Sequence, residues 1–189
     1  PMILKAIAKT ILKLGGWEIV GGVPEFKKAV LIAAPHTSNW DGYWLLVFKV
    51  AVGLDLRFLA KHTLFWWPLG TLLRSLGAMP LNRGSGGDVV RDIARDFQNN
   101  ESFYLALAPE GTRSLKPYWK TGFYRIATTA KVPVIFGFLD YKTKRLGLGD
   151  RLELSGDVEK DLDVIRSFYK PMIGRHPKLA SPIKFPPSA

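Results

Sequence analysis

Three short segments, Ala29–Ala34, Phe103–Ala108 and Val132–Leu139, are apolar at almost every position, and they limit the possible folds more than any other feature. A strand with one wet face alternates apolar and polar residues, whereas a continuously apolar strand must be covered on both faces. The segments between them carry helical rather than alternating periodicity: Asp41–Val52, Thr63–Ser75, Asp88–Gln98 and Thr121–Ala130. In the third, Val90, Ile93, Ala94 and Phe97 fall on one side. Buried strands alternating with helices predict an α/β fold, a largely parallel mixed sheet flanked by helices. A length of 189 residues fits one such domain with a sizeable core.

The remaining segments fill in that outline. Residues 3 to 14 form an amphipathic pattern, with Ile3, Leu4, Ile7, Ile11 and Leu14 within one arc and Lys5, Lys9 and Lys13 roughly opposite. This predicts an N-terminal helix within residues 1–16, part of the same domain as residues 17–189. It reads either as an interfacial anchor on anionic lipid or as a surface helix packed on the core. Gly77 to Arg83 reads as a short extended segment, and Arg83 to Gly87 as a flexible turn. Glycines 147 and 149 suggest a hairpin around Gly147–Asp150, residues 157 to 169 an amphipathic helix, and the proline-rich tail from Pro171 irregular wrapping.

The formal charge is +11, so the surface attracts anions: nucleic acid, phospholipid headgroups, a phosphorylated substrate or an acidic protein. With no cysteine, disulfides, thiolate nucleophiles and Cys-ligated zinc are excluded. The three histidines show no metal-ligand spacing. No stretch free of Asp, Glu, Lys and Arg exceeds the one from Ala29 to Trp40, too short to cross a bilayer. The N-terminus lacks a secretory h-region and cleavage site, which places the expected residence on the cytoplasmic side.

Two loops carry candidate chemistry. In Pro35-His36-Thr37-Ser38-Asn39-Trp40-Asp41, the histidine follows a predicted strand and precedes a predicted helix. Within one helix, positions five apart lie about 140° from each other and could not meet. A strand-to-helix turn removes that obstacle. A carboxylate on one ring nitrogen would then fix the tautomer and raise the basicity of the other, making His36 a general base and Asp41 its orienting partner. The plainer reading is that both residues only cap their elements. The second loop, Ala108-Pro109-Glu110-Gly111-Thr112-Arg113-Ser114, leaves the end of a buried strand, where α/β sheets place their sites. Gly111 permits close approach, Thr112 and Ser114 offer hydroxyl donors, and Arg113 offers a fork for phosphate or for Glu110 itself. Arg83 could pair with a substrate phosphate in the same way.

Taken in order, the His-x-x-x-x-Asp loop, the glycine-to-arginine segment ending at Arg83, Glu-Gly-Thr-Arg-Ser and the Val132-Pro133-Val134 strand resemble the glycerolipid and lysophosphatidic acid acyltransferase superfamily. The resemblance spans roughly residues 30 to 140. It implies direct attack of an acceptor hydroxyl on an acyl thioester, with His36 as base, Asp41 as its partner and no covalent intermediate. It implies acceptor binding by Arg83, Glu110, Gly111, Thr112 and Arg113, and by position Lys61. The implied donor is acyl-coenzyme A or acyl carrier protein, the acceptor a lysophospholipid or glycerol phosphate, and the setting the cytoplasmic face of an anionic membrane, peripheral or monotopic. No further cofactor is implied. Pro35 stands where the family frequently has asparagine, and Trp40 and Trp44 are distinctive, which leaves the acceptor open.

Other readings weigh less. An acyl-thioester hydrolase would share the chemistry, but there is no Gly-x-Ser-x-Gly elbow. Transfer to a lipid acceptor without phosphoglycerol is compatible with the same base. A basic nucleic-acid binder or a non-catalytic lipid-binding module would explain the charge, yet the basic residues are dispersed and no nucleic-acid module is present.

Overall fold

The computed structural model describes residues 2–81 and 86–187, with side chains from residue 89 onward in the second segment. Arg83, and with it part of the predicted turn, lies outside the described residues. The elements run α1 (Met2–Leu14), β1 (Glu18–Val20), β2 (Lys28–Ala34), α2 (Asn39–Val52), β3 (Leu56–Lys61), α3 (Leu69–Ser75), β4 (Ala78–Leu81) and α4 (Gly86–Asn99). They continue as β5 (Phe103–Leu107), α5 (Gly122–Ala130), β6 (Val134–Asp140), β7 (Arg145–Leu152) and α6 (Val158–Tyr169). Short 3-10 turns occupy His62–Leu64 and Pro177–Leu179.

One seven-stranded sheet has the order β1-β7-β6-β2-β5-β3-β4. β2 lies at its centre, parallel to β5 and β6, and β3 continues the parallel run between β5 and β4. β7 is antiparallel to β6 and carries β1 parallel to itself. The fold is therefore the expected α/β arrangement, a mostly parallel sheet with helices on both faces.

The central strands are apolar throughout because both of their faces are covered. Val30, Ile32 and Ala34 of β2 join Phe97, Leu105, Phe123, Phe136 and Leu162 in one core. Their neighbours Ala29 and Leu31 join Leu12, Phe48, Leu56 and Ile135 in the other. Successive side chains of a strand point to opposite faces, so a single run of aliphatic residues serves two layers. At roughly 25 cal/mol per Å² of apolar surface buried, each large aliphatic side chain contributes about 1.5–3 kcal/mol.

α1 packs along α2 in the opposite direction. A side chain at Gly15 would strike Trp44 near the start of α2, and one at Gly53, just past its end, would strike Lys5. Ala8 and Leu12 form the buried stripe, while Met2, Ile3, Leu4, Ile7 and Leu14 stay exposed. Most of the predicted apolar arc thus faces outward, beside the stripe that packs.

Three local expectations are corrected. The predicted hairpin around Gly147–Asp150 is a single strand, β7, and the chain reverses at residues 141–144 instead. Its glycines serve close approach: a Cβ at Gly147 would lie 1.8 Å from the Val20 carbonyl oxygen, and one at Gly149 2.2 Å from the Phe168 ring. The helix predicted over Thr63–Ser75 begins only at Leu69, because Pro68 has no N–H to continue a turn. β3 was not anticipated as a strand. Its interior residues are only half-buried, and Arg57 interrupts its apolar pattern.

Candidate active site

β2, β5 and β3 are adjacent and parallel, so their C-terminal ends lie side by side at one edge of the sheet. The residues that leave those ends build the site. His36 follows β2 through Pro35, and Ser38 then caps α2 with a reciprocal capping box in which Asp41 occupies the third helical position. This short turn is what brings the pair together: His36 Nδ1 lies 3.3 Å from Asp41 Oδ2, at the long end of hydrogen-bonding range.

Asp41 is 3% exposed and fully engaged. Its Oδ2 accepts from the Thr37 and Ser38 N–H groups at 2.8 Å each. Its Oδ1 accepts from the Tyr141 hydroxyl at 2.7 Å. Burial alone would push this carboxyl up, but the bonds from His36, Tyr141 and the Ser38 N–H outweigh it and hold it below the ordinary aspartate value. Burial and the neighbouring carboxylate push the Tyr141 phenol well up, so it stays a donor. With Nδ1 turned to a fixed anion, Nε2 is the ring nitrogen left for chemistry.

Glu110 sits at the start of the loop after β5 and is 2% exposed. One oxygen accepts from the His36 N–H at 2.7 Å and the other from the Ser181 N–H at 3.2 Å. It therefore ties the histidine loop, its own loop and the C-terminal tail together. It makes no ion pair with Arg113, the pairing that the sequence left open. Gly111 has φ +66°, a backbone conformation that favours glycine, and the flexible end of the Lys120 side chain packs against it.

In front of these loops lies a cavity of about 710 Å³. His36, Lys61, Gly111, Thr112 and Arg113 all line it, as does the exposed Leu64. Glu110, expected among the acceptor-binding residues, is behind this wall rather than on it. Leu59, Leu81, Val89, Val90, Leu107, Phe123 and Ile126 supply the apolar walls. Lys61, Arg113, Lys120 and Arg125 are its described cations, and no carboxylate lines it among the described residues. The space thus suits a molecule with a long apolar part and an anionic head.

Sequence reasoning assigned no part in the site to Lys120, Arg125, Tyr141 or the tail. Tyr141 could have been suspected only from the pairing of β6 with β2, which brings the two strand ends together. The tail bonds the site from far along the chain: His176 N–H to the Thr37 hydroxyl at 3.1 Å, and Lys116 N–H to the Ser181 hydroxyl at 3.0 Å. Nothing in its composition signals this.

The opposed positions of the two buried carboxyls give a testable pH response. Burial pushes Glu110 up, and the bonds from the His36 and Ser181 N–H groups only partly offset it. The folded protein therefore binds this proton more tightly than the unfolded chain, and its contribution to stability grows as pH falls through the raised value. Asp41 acts in the other direction, its stabilisation being lost only below the ordinary aspartate range. Glu110→Gln removes the first contribution, so thermal melts at about pH 5 and about pH 7 should show a smaller gain, or a larger loss, on acidification than in the unmodified protein. An identical pH response would mean that Glu110 is not perturbed as its surroundings require.

Comparison with known proteins places this architecture. The structure resembles the crystal structure of the 1-acyl-sn-glycerophosphate (LPA) acyltransferase PlsC from Thermotoga maritima, with TM-score 0.61 and 18% sequence identity over 90% of this chain and 77% of that one. That likeness concerns the fold. No curated protein sequence matches significantly. The family model described as Acyltransferase matches residues 18–135, which include both strand-end loops and most of the cavity wall. The chain accordingly belongs to the acyltransferase family.

Proposed function

We propose that the protein transfers a fatty-acyl group from a coenzyme A or acyl-carrier-protein thioester to the hydroxyl of a phosphate-bearing lysolipid, of the 1-acylglycerol 3-phosphate type, in phospholipid synthesis at a membrane surface. The observation that carries this reading is the placement of the Asp41-bound imidazole of His36 on a cavity that is apolar in its walls and cationic among its described charges. His36 Nε2 takes the proton of the acceptor hydroxyl as its oxygen attacks the thioester carbonyl carbon. The C–O bond forms, the C–S bond breaks, and the proton passes from the imidazolium to the departing sulfur. Asp41 holds the ring and stabilises its transient positive charge, with Tyr141 and the two loop N–H groups keeping that carboxylate in place. No serine or cysteine nucleophile enters the sequence of steps.

Lys61 and Arg113 grip the acceptor's phosphate in this account, and the apolar walls receive acyl chain. The exposed apolar stripe of α1, with Lys5, Lys9 and Lys13 roughly opposite it, fits a peripheral anchor. Among the described residues, no helix is long and apolar enough to cross a membrane. Arg113→Ala should raise the apparent KM for a phosphorylated acceptor by about 10- to 150-fold, equivalent to roughly 1.5–3 kcal/mol for a lost charge-assisted bond, with little change in kcat. The same substitution should leave the KM for a dephosphorylated acceptor almost unchanged. Equal effects on both acceptors would remove Arg113 from phosphate recognition.

A further inference from the structure

Exposed aromatic side chains are not scattered over this molecule. Among the described residues, those classed as exposed are Trp40, Tyr43, Trp66 and Trp67, the last two 59% and 83% accessible. Trp40 and Tyr43 stand in the first two turns of α2, after β2, and Trp66 and Trp67 in the turn after β3. Both groups therefore sit at the edge of the sheet where the cavity lies. Leu64 in the turn after β3, Leu72 in α3 and Leu115 in the loop after β5 are exposed as well. Leu64 belongs to the cavity wall as well, so the apolar rim continues into the site.

The charge of this edge is one-sided. Residues 35–44, 61–75, 108–121 and 174–184 contain two carboxylates, Asp41 and Glu110. Both are buried and turned inward to loop N–H groups. The same segments present Lys61, Arg74, Arg113, Lys116, Lys120 and Arg175. Arg175 lies over the Trp40 ring at 5.6 Å, and Arg74 over Phe65 at 5.0 Å. The tail belongs to this edge through its bonds to Thr37 and Lys116. Indoles flanked by cations, with no accessible carboxylate in these four segments, match the boundary between acyl chains and anionic headgroups. A water-facing rim around a polar pocket has no reason to carry two adjacent, largely uncovered tryptophans.

We infer that this edge, with Trp66 and Trp67 at its most exposed point, is the face that docks on an anionic phospholipid bilayer, seating the mouth of the cavity at the headgroup boundary. The inference builds on the proposed reaction, since a lipid acceptor then enters along the Leu64 rim instead of crossing water. It differs from an anchor through α1 alone, which would tether the protein and leave this edge free.

The absence of cysteine from these 189 residues permits a direct test with the chain carrying one environment-sensitive thiol label. The label is placed in Trp67→Cys, in Leu115→Cys, or in Val164→Cys on the exposed side of α6. With vesicles of phosphatidylcholine and phosphatidylglycerol at about 3:1, the first two should show blue-shifted and several-fold brighter emission and the third no change. Vesicle sedimentation of a Trp66→Ser, Trp67→Ser double variant should fall about tenfold, while its transfer to a water-dispersed short-chain acceptor stays unchanged. Silence at positions 67 and 115, an equal response at 164, or undiminished sedimentation of the double variant would overturn the assignment. So would a response to acidic carrier protein in place of vesicles, which would make the edge a protein-docking face. Transfer to the dispersed acceptor is measured on every labelled protein, so vesicle response without transfer would reject the proposed reaction and leave the docking face standing.

Discussion

Replacing His36 with alanine should reduce turnover by about 10²- to 10⁴-fold while leaving the protein folded. The side chain is partly exposed on the cavity wall, and what it contributes to the loop's structure is its backbone N–H, which Glu110 accepts and which alanine retains. The loss should therefore fall on kcat, with acceptor KM and thermal stability close to those of the unmodified protein. If the variant turned over normally, His36 would not be the base, and no other histidine lines the cavity to replace it.

Asp41 should separate charge from architecture. Asp41→Asn keeps an oxygen for the Thr37 and Ser38 N–H groups and places an amide toward Tyr141, whose hydroxyl can accept as well as donate. The fold should survive, but the ring loses the anion that orients it and supports its positive charge, so turnover should drop by about 10²- to 10⁴-fold. Asp41→Ala leaves two N–H groups and a hydroxyl without their acceptor in a buried loop. At about 1–3 kcal/mol for each buried donor left unpaired, it should also lower stability by several kcal/mol. Urea unfolding alongside single-turnover kinetics distinguishes the two variants. An asparagine protein as unstable as the alanine protein would show that the carboxylate charge, and not only its oxygen positions, holds the loop.

What could be read from the sequence follows from where each contact lies along the chain. β2, β5 and β6 were legible because burial on two faces leaves a continuous apolar run, and three such runs imply a covered parallel sheet. β3 was missed because its half-buried positions do not require that pattern. Gly147 and Gly149 misled because glycine marks both turns and places where another group comes close, and only packing against Val20 and Phe168 decides between them. The His36–Asp41 pair was legible because one loop holds it. Tyr141 and Ser181 were not, since each meets the site across the fold, 100 positions from Asp41 and 71 from Glu110. Glu110 itself was placed with the acceptor by resemblance. The three-dimensional arrangement turns its carboxylate inward, where it joins three chain segments behind the cavity.

The central claim is that His36, held by Asp41, activates an acceptor hydroxyl for attack on an acyl thioester. The most direct measurement is release of free thiol from acyl-coenzyme A and acyl carrier protein thioesters, with and without lysophosphatidic acid, in the unmodified protein and in His36→Ala. The account predicts release that requires the acceptor, yields the diacylated product in equal amount, and disappears in the variant. Release at the same rate without acceptor, or acceptor-dependent release that persists in His36→Ala, would contradict it.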